Sequence, residues 1–232
     1  MFCEPCGLSV DALARPCAGC ALPQQQLHDD PAVRCARCQR VPLAFSSAEA
    51  GFAYGEAFAD ALVRLKHARR RDLVPGLARL LAPLLFRALA RQPAIDAILP
   101  VPLHPRRLRQ REFNQSLELV RSALRLVERE NRTARAADPS GPRPVWPLPP
   151  VLRQALARTR NTRPLGRLSP GERLQEVSGA FAVRLPSAVV GKRLLVVDDV
   201  MTTGATFQAC AEALLAVGAV EVRALALARA VI

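Results

Sequence analysis

The chain has 232 residues, enough for one large domain and a small module, and half of them are hydrophobic, which excludes a largely disordered protein. The formal net charge is +13, and nearly all of the positive charge is arginine, because only Lys66 and Lys192 are lysines. Since the planar guanidinium suits phosphate groups, this excess favours a polyanionic ligand or partner, although any single arginine can equally be a solvated surface residue.

The N-terminal sequence and the distribution of apolar residues argue against a secretory signal and a membrane span. The first ten residues contain no basic region followed by an apolar run, so we expect no secretory signal. The apolar segment 77–90 is interrupted by Arg79, Pro83 and Arg87, and the chain has no uninterrupted apolar run of the length that a membrane span requires. We therefore expect no membrane span and a cytoplasmic location.

Six of the seven cysteines form three Cys-x-x-Cys pairs near the N-terminus: Cys3/Cys6, Cys17/Cys20 and Cys35/Cys38. In a cytoplasmic chain this pattern indicates metal binding and not disulfides. The two-residue spacer lets both sulfurs of a pair face one cation, so two pairs complete a closed, structural zinc site. The spacing leaves two sets open, Cys17/Cys20 with Cys35/Cys38 or Cys3/Cys6 with Cys17/Cys20. We predict a zinc-binding module over residues 1–45.

The apolar periodicity after this module predicts alternating helices and strands. In chain order, these are helices over 56–71 and 73–91, a strand over 95–101, a helix over 112–129, strands over 179–184 and 193–197, a helix over 206–217 and a strand over 220–228. Pro83 is a potential break in the second helix. Residues 133–150 contain six prolines and are predicted to be an extended insertion. The alternation indicates an α/β domain over 46–232, with a parallel sheet flanked by helices.

The strand over 193–197 is followed by two carboxylates and a small, hydroxyl-rich segment. The residues are Asp198 and Asp199, then Thr202, Thr203, Gly204, Ala205 and Thr206. Ligands of open parallel sheets bind beyond the carboxyl ends of the strands. Two adjacent carboxylates repel each other unless a diol or hydrated Mg²⁺ compensates, and a small-residue loop at a helix N-terminus binds anions. A ligand with a ribose diol beside a 5′-phosphate would satisfy both halves of the stretch.

This stretch resembles the phosphoribosyl pyrophosphate (PRPP) binding motif of type I phosphoribosyltransferases. The resemblance implies that Asp198 and Asp199 contact the ribose hydroxyls and that the 202–206 loop holds the 5′-phosphate. Further segments resemble the ComF family in the correct order: Leu-Lys-His at 65–67, Leu-Pro-Val-Pro-Leu-His at 99–104, Arg-Glu-Phe-Asn-Gln at 111–115, Leu-Ser-Pro-Gly-Glu-Arg at 168–173 and Gly-Ala-Phe at 179–181. The family layout implies a type I phosphoribosyltransferase-like sheet joined to a small N-terminal zinc module.

The pyrophosphate of PRPP must be neutralised opposite the 5′-phosphate, and basic residues outside the motif could reach it. The weaker candidates for these contacts, with Mg²⁺ accompanying PRPP, are Lys66, Arg106, Arg107, Arg111 and Arg173, of which Arg111 and Arg173 match the family pattern. The segment 158–176, which carries further arginines including Arg158, resembles the mobile loop that closes over the site in related enzymes. The sequences around the second and third cysteine pairs resemble the last two knuckles of family members with four, which favours Cys17, Cys20, Cys35 and Cys38 as zinc ligands over Cys3 and Cys6.

Three departures from the family pattern bear on catalysis. Glu112 stands where the family favours glycine, Leu165 where glutamine is usual and Glu176 where asparagine is usual. No set of residues forms a recognisable pocket for a particular base, so no catalytic residue is assigned.

The family implies binding of PRPP or a nucleotide and a role in natural competence, the uptake and handling of transforming single-stranded DNA, with competence proteins as partners. The alternative is an active phosphoribosyltransferase that acts on a nucleobase or a related acceptor. Aromatic residues make up only 4% of the chain, and Phe113 and Trp146 are the rings near basic runs, so base stacking has little support.

Overall fold

A computed structural model of the chain describes residues 11–24, 33–137, 147–163 and 168–230. In chain order, its elements are α1 (Ala36–Arg40), β1 (Ser47–Ala53), α2 (Glu56–His67), α3 (Val74–Ala90), β2 (Ala97–Pro100), α4 (Pro105–Arg111), α5 (Gln115–Ala137), β3 (Leu156–Arg158), α6 (Pro170–Val177), β4 (Phe181–Val183), β5 (Arg193–Met201), α7 (Ala205–Ala216) and β6 (Glu221–Arg229).

Four parallel strands form the main sheet, in the order β1-β6-β5-β2. Alternate residues of β5 enter two different cores, as the period of a strand requires. Leu194 and Val196 pack on the face that carries α7, whereas Leu195 and Val197 pack on the face that carries α3 and α5. The predicted parallel sheet flanked by helices is confirmed, and β3 and β4 add a small antiparallel pair beside it.

Helix α3 is continuous through Pro83, which lies on an exposed position where the missing backbone donor is least costly. With the preceding turn, this segment runs from Arg71 to Ala90. Among the described residues, it is the one helix whose length and composition would suffice to cross a membrane. Half of its most apolar window is buried, and it packs against β1, β6 and α5. Its apolar residues are therefore explained by packing in the hydrophobic core.

Several boundaries differ from those expected. Helix α5 continues to Ala137, into the segment predicted to be extended, because its last turns contain alanines, arginines and an i,i+4 pair between Glu128 and Arg132. The rest of the proline-rich segment, 138–146, lies outside the described residues. The basic segment 104–111 forms α4, and part of the segment expected to be a mobile loop forms α6.

The cysteine-rich segment packs on the outer strand of the main sheet. The amide of Leu13 donates to the carbonyl of Gly51 in β1, and the amide of Ala48 in β1 donates to the carbonyl of Ala18. These contacts cover the edge of β1, which would otherwise present unpaired backbone groups. The module and the sheet therefore share a hydrogen-bonded boundary.

Candidate functional site

The two adjacent aspartates lie within β5 and not in a turn after it, which corrects the strand end expected at Val197. The ladder between β5 and β6 continues as far as the pair Met201/Arg229, because β6 is long enough to supply partners. Successive residues of a strand project to opposite faces of the sheet. The carboxylates of Asp198 and Asp199 therefore diverge instead of lying side by side.

Asp198 is half-buried beside the start of α5. Its Oδ1 accepts hydrogen bonds from Oγ of Ser116 at 2.7 Å and from the backbone amide of Asp199 at 2.9 Å. Burial and the neighbouring carboxylate of Asp199 raise the pKa of Asp198 to about 7, and the Ser116 hydroxyl and Lys66 oppose this rise. A carboxyl group that titrates near neutrality in a cleft is a candidate for ligand binding.

Asp199 occupies a different environment on the other face. It is 3% exposed, and its Oδ2 lies 2.5 Å from Nζ of Lys66 at the end of α2. Its Oδ1 accepts a hydrogen bond from the amide of Val200 at 3.0 Å. Lys66, which was expected to contact pyrophosphate, is thus engaged by this carboxylate, and Asp198 is the more accessible of the two acids.

The predicted phosphate loop lies between β5 and α7. Gly204 has a φ of 83°, in the left-handed region that favours glycine, and α7 has no side-chain cap. The amide of Ala205 makes one long contact of 3.4 Å with Oγ1 of Thr203. Within the described part of the chain, no protein acceptor contacts the amides of Thr202, Thr203, Gly204 or Thr206. The structure thus gathers these residues at a helix N-terminus whose amides can receive an anion.

Three arginines approach the same cleft from α4 and β3. Arg107 and Arg158 donate hydrogen bonds to the carbonyl and the hydroxyl of Thr162, respectively. Arg111 and Arg158 both interact electrostatically with Asp198. Burial lowers the pKa of all three guanidinium groups, and repulsion from neighbouring arginines lowers those of Arg107 and Arg158 further. Like charges held together in this way favour an anion between them.

Arg158 is the most deeply buried of the three, with 7% of its surface exposed. It lies in β3, with its guanidinium 5.3 Å from the centre of the Phe181 ring. Its Nε has no hydrogen-bond partner within the described residues. The expectation that Arg158 begins a mobile loop is therefore wrong, because pairing of β3 with β4 anchors it.

The other predicted basic contacts are less central. Arg106 is exposed on α4. Arg173 lies in α6 and is half-buried. Its Nε donates to the carbonyl of Leu168, in the turn that precedes the helix, at 2.8 Å.

The departures from the family pattern have local structural roles. Glu112 caps α4 with a φ of 68°, so the position requires a left-handed backbone, and its carboxylate pairs with Arg69. Glu176 accepts hydrogen bonds from the amide and the Nε of Arg163, at 2.7 and 3.0 Å. These bonds hold the pKa of Glu176 below its ordinary value. Leu165 lies outside the described residues.

Four sulfur atoms converge within 4.8 Å of one another, those of Cys17, Cys20, Cys35 and Cys38. The sulfurs of Cys20 and Cys35 are 3.7 Å apart. A tetrahedral site with Zn–S bonds of about 2.3 Å requires a sulfur separation of about 3.8 Å. The cluster could therefore hold a metal ion. Of the two sets that the spacing left open, it corresponds to Cys17/Cys20 with Cys35/Cys38. Cys3 and Cys6 lie outside the described residues.

A cavity of about 590 Å³ borders the phosphate loop beside the cysteine module. Arg37 and Leu43 line it from the module, Leu174 lines it from α6, and Gly204 and Ala205 line it from the loop. The aspartates are not part of its lining. Sequence reasoning missed this cavity, because it forms between segments that are distant in the chain.

Sequence reasoning also missed two residues at the site. Ser116 directly follows the family-like segment 111–115, so its position beside that segment was an available signal. Arg229 ends β6 after five apolar residues, 224–228, and its guanidinium donates to the carbonyls of Met201 and Thr202. A charged residue in such a strand is itself a signal, because burial of an arginine requires specific partners.

Comparison with known proteins finds a domain family that matches the C-terminal part of the chain and relatives that match nearly its whole length. Residues 153–230 match the phosphoribosyl transferase domain. The chain is 30% identical to the DNA utilization protein YhgH of Salmonella typhi, over 98% of this chain and 90% of the relative. The corresponding proteins of Shigella flexneri and Escherichia coli (strain K12) are each 29% identical to it over the same shares of the two chains.

Proposed function

Because the chain belongs to the ComF family of phosphoribosyltransferase-like proteins, we propose that the cleft at the carboxyl ends of β2 and β5 binds PRPP or a nucleotide. The observation that supports this most strongly is the pairing of two unlike groups at one strand end. Asp198 is a half-buried carboxyl group with a pKa of about 7, and the 202–206 loop presents backbone amides at the start of α7. A ribose phosphate carries the two complementary groups next to each other.

Each part of the ligand has a partner in this proposal. The 5′-phosphate accepts hydrogen bonds from the loop amides and threonine hydroxyls. A ribose hydroxyl donates to Asp198, while Asp199 stays paired with Lys66. Arg107, Arg111 and Arg158 balance the pyrophosphate charge. Mg²⁺ bound with PRPP would supply further charge neutralisation.

The name of the relatives, DNA utilization protein, adds DNA as a second polyanion, and the resemblance to the ComF family implies the single-stranded form. Arg106 and Arg109 are exposed on α4, beside the proposed pyrophosphate position, and would contact backbone phosphates. Phe113 is 4% exposed under the guanidinium of Arg71, so it offers no platform for base stacking. We therefore place the protein in the handling of transforming DNA in the cytoplasm, through contacts that do not depend on the base.

The cysteine cluster completes the proposal as a structural zinc site. Four thiolates within 4.8 Å of one another can supply all four ligands of a tetrahedral site, which leaves no open position for a substrate. Zinc would cross-link the module that packs on β1, and the module in turn borders the phosphate loop. Its expected contribution is to folding and not to chemistry.

Calorimetric titration of the full chain with PRPP, ribose 5-phosphate and single-stranded DNA tests the proposal. Asp198→Asn should weaken both ribose ligands, and Thr203→Ala should weaken every ligand that carries a terminal phosphate, each by about tenfold. The matched control is Thr133→Ala, since this threonine lies on α5 and its hydroxyl donates to the carbonyl of Arg129, its one acceptor in the described part of the chain. Absence of PRPP and ribose 5-phosphate binding in the parent protein would refute the phosphoribosyl site. Pyrophosphate release in the presence of nucleobases would instead establish the enzymatic alternative.

A further inference from the structure

Arg229 is the largest fully buried side chain in the described part of the molecule, with 1% of its surface exposed. It is the last residue of β6 and lies between Ala53 of β1 and Met201 of β5. Burial of an arginine is costly unless its donors are satisfied. Among the described residues, no carboxylate pairs with this guanidinium, so hydrogen bonds to other groups must compensate its burial.

Among the described residues, all the hydrogen-bond partners of Arg229 are backbone carbonyls, and they belong to two different parts of the site. Nε donates to the carbonyl of Cys20, inside the cysteine cluster, at 3.0 Å. Nη1 donates to the carbonyls of Met201 at 3.1 Å and Ala230 at 2.8 Å, and also to that of Thr202. One side chain thus connects the Cys17–Cys20 turn of the cysteine cluster to the end of β5 and the first residue of the 202–206 loop.

The direction of these bonds determines where the phosphate-loop amides point. In a planar trans peptide, the carbonyl and the following amide point in opposite directions. A guanidinium that holds the carbonyl of Met201 therefore directs the amide of Thr202 away from itself, and the bond to Thr202 does the same for the amide of Thr203. These are two of the amides for which the described residues offer no protein acceptor.

The other end of the bridge depends on the cysteine cluster. The carbonyl that receives Nε belongs to Cys20, and the Cys17–Cys20 turn is one half of the four-sulfur cluster. A bound metal fixes this turn, and four thiolates around a divalent cation carry a net charge of about −2, which favours a neighbouring buried cation. Loss of the metal leaves the turn without its cross-link and Nε of Arg229 without a fixed acceptor.

We propose that Arg229 is a positioning residue that couples metal occupancy of the four-cysteine cluster to anion binding at the 202–206 loop. This inference rests on the proposed phosphoribosyl site for its ligand, but the bridge itself is a property of the fold. By linkage, the coupling is reciprocal: metal favours anion binding, and a bound anion retains the metal.

The first experiment requires no ligand. Loop exchange is measured at two amides that are hydrogen-bonded to the loop and its approach, that of Gln208 to the carbonyl of Gly204 and that of Ala230 to the carbonyl of Met201. It is compared between the zinc-loaded full chain and the same chain treated with a chelator, with exchange in the middle of α5 as an internal reference. We expect loop exchange to become about tenfold faster without zinc while the α5 reference changes little. Equal loop exchange in the two states would overturn the coupling, whether or not the protein binds a phosphoribosyl ligand.

The second experiment measures the reciprocal effect in the parent protein. The rate of zinc transfer to a chelating dye is recorded with and without saturating ribose 5-phosphate, and separately with inorganic phosphate. We expect the ligand to slow zinc release by about tenfold, within the usual range of allosteric coupling. If ribose 5-phosphate binds but leaves the release rate unchanged, the coupling is refuted and the proposed function survives. If neither anion binds the zinc-loaded protein, the proposed function fails and the exchange measurement alone decides the coupling.

Variants then test the bridge itself. Arg229→Met should still bind zinc but bind ribose 5-phosphate about tenfold more weakly, with no effect of the ligand on zinc release. Arg229→Lys should be intermediate, because a single ammonium reaches fewer carbonyls, and it remains informative if the methionine variant fails to fold. The matched control is Arg34→Met, since Arg34 belongs to the same module but, among the described residues, donates only to the carbonyl of Ser46. Parent-like coupling in folded Arg229→Lys and Arg229→Met would contradict the assignment.

Discussion

Asp198 and Asp199 are adjacent in sequence, but their surroundings give them different properties. Asp199 is neutralised by Lys66 on one face of the sheet, whereas Asp198 is half-buried with Ser116 as its hydrogen-bond donor. The raised pKa of Asp198 means that the folded protein disfavours its charged form. A ligand that donates hydrogen bonds to this carboxylate would relieve the cost. At the scale of single residues, the ionised carboxylate of Asp198 therefore lowers the stability of the folded protein until a ligand binds.

We predict that Asp198→Asn stabilises the protein at neutral and alkaline pH. The pKa of Asp198 is about 7 in the folded protein, above its ordinary value. The stability linked to the protonated carboxyl is therefore fully present below about pH 4 and is lost as the pH rises through about 7. The gain of the variant in free energy of unfolding should be smallest near pH 4 and reach about 2 kcal/mol at about pH 8, less than the full shift because the residue is only half-buried.

Urea denaturation across this pH range, without divalent cations or phosphate, measures the effect. Asp199→Asn is the contrasting variant, because it leaves the ammonium of Lys66 without its partner. We expect it to lower the free energy of unfolding by about 1–3 kcal/mol near pH 8. A constant difference between Asp198→Asn and the parent across the pH range would show that burial does not raise this pKa.

At the scale of elements, the junction between β5 and α7 combines a long strand ladder with an uncapped helix start. The strand continues through the aspartates to Met201, three residues follow, and the helix begins at Ala205, directly after the left-handed Gly204. This sharp transition places the carboxylates and the loop amides at the same end of the sheet. The backbone conformation of Gly204 is therefore part of the site.

We predict that Gly204→Ala lowers the free energy of unfolding by about 1–2 kcal/mol, because an L-residue is strained at a positive φ. The cost arises within the local backbone and not from packing against other residues, since an added Cβ would lie 3.7 Å from Cζ of Phe45, an ordinary contact. Gly171→Ala is the control: its Cβ would meet nothing within 4 Å, and the residue lies in α6. Alanine there should be neutral or stabilise by up to about 1 kcal/mol, as urea denaturation can show. Equal effects of the two substitutions would contradict the backbone argument.

The elements also show what the sequence can reveal about this fold. Long helices and buried strands such as α3 and β5 follow from apolar periodicity, and the motif from Asp198 onward predicts the ligand end of the sheet. Strand β1 was not predicted, because its small residues have little strand preference and it forms only by pairing with β6. The roles of Arg158 and Arg229 depend on tertiary contacts, one through a short hairpin and the other across 209 positions to Cys20.

At the scale of the whole molecule, the positive charge is distributed unevenly between buried and exposed arginines. Those in the cleft are partly buried, and their neighbours include Asp198, Asp199 and Thr162. Those on the outer surface of α4, Arg106 and Arg109, are exposed and pair with no carboxylate in the described part of the chain. The first group suits one small anion, whereas the second suits a flexible polyanion that passes over the surface.

We predict that Arg106→Gln/Arg109→Gln weakens binding of single-stranded DNA mainly through the salt-dependent component of the free energy. Each phosphate contact on a single strand contributes about −0.7 to the slope of log K against log salt concentration, so loss of two contacts should make the slope shallower by about 1.4. The control is Arg125→Gln/Arg129→Gln, which removes the same charge from exposed positions of α5. Fluorescence anisotropy of a labelled oligonucleotide over a range of salt concentrations gives both slopes. If the two double variants change the slope equally, net charge alone attracts the strand; a change confined to the α4 variant places the DNA path beside the cleft.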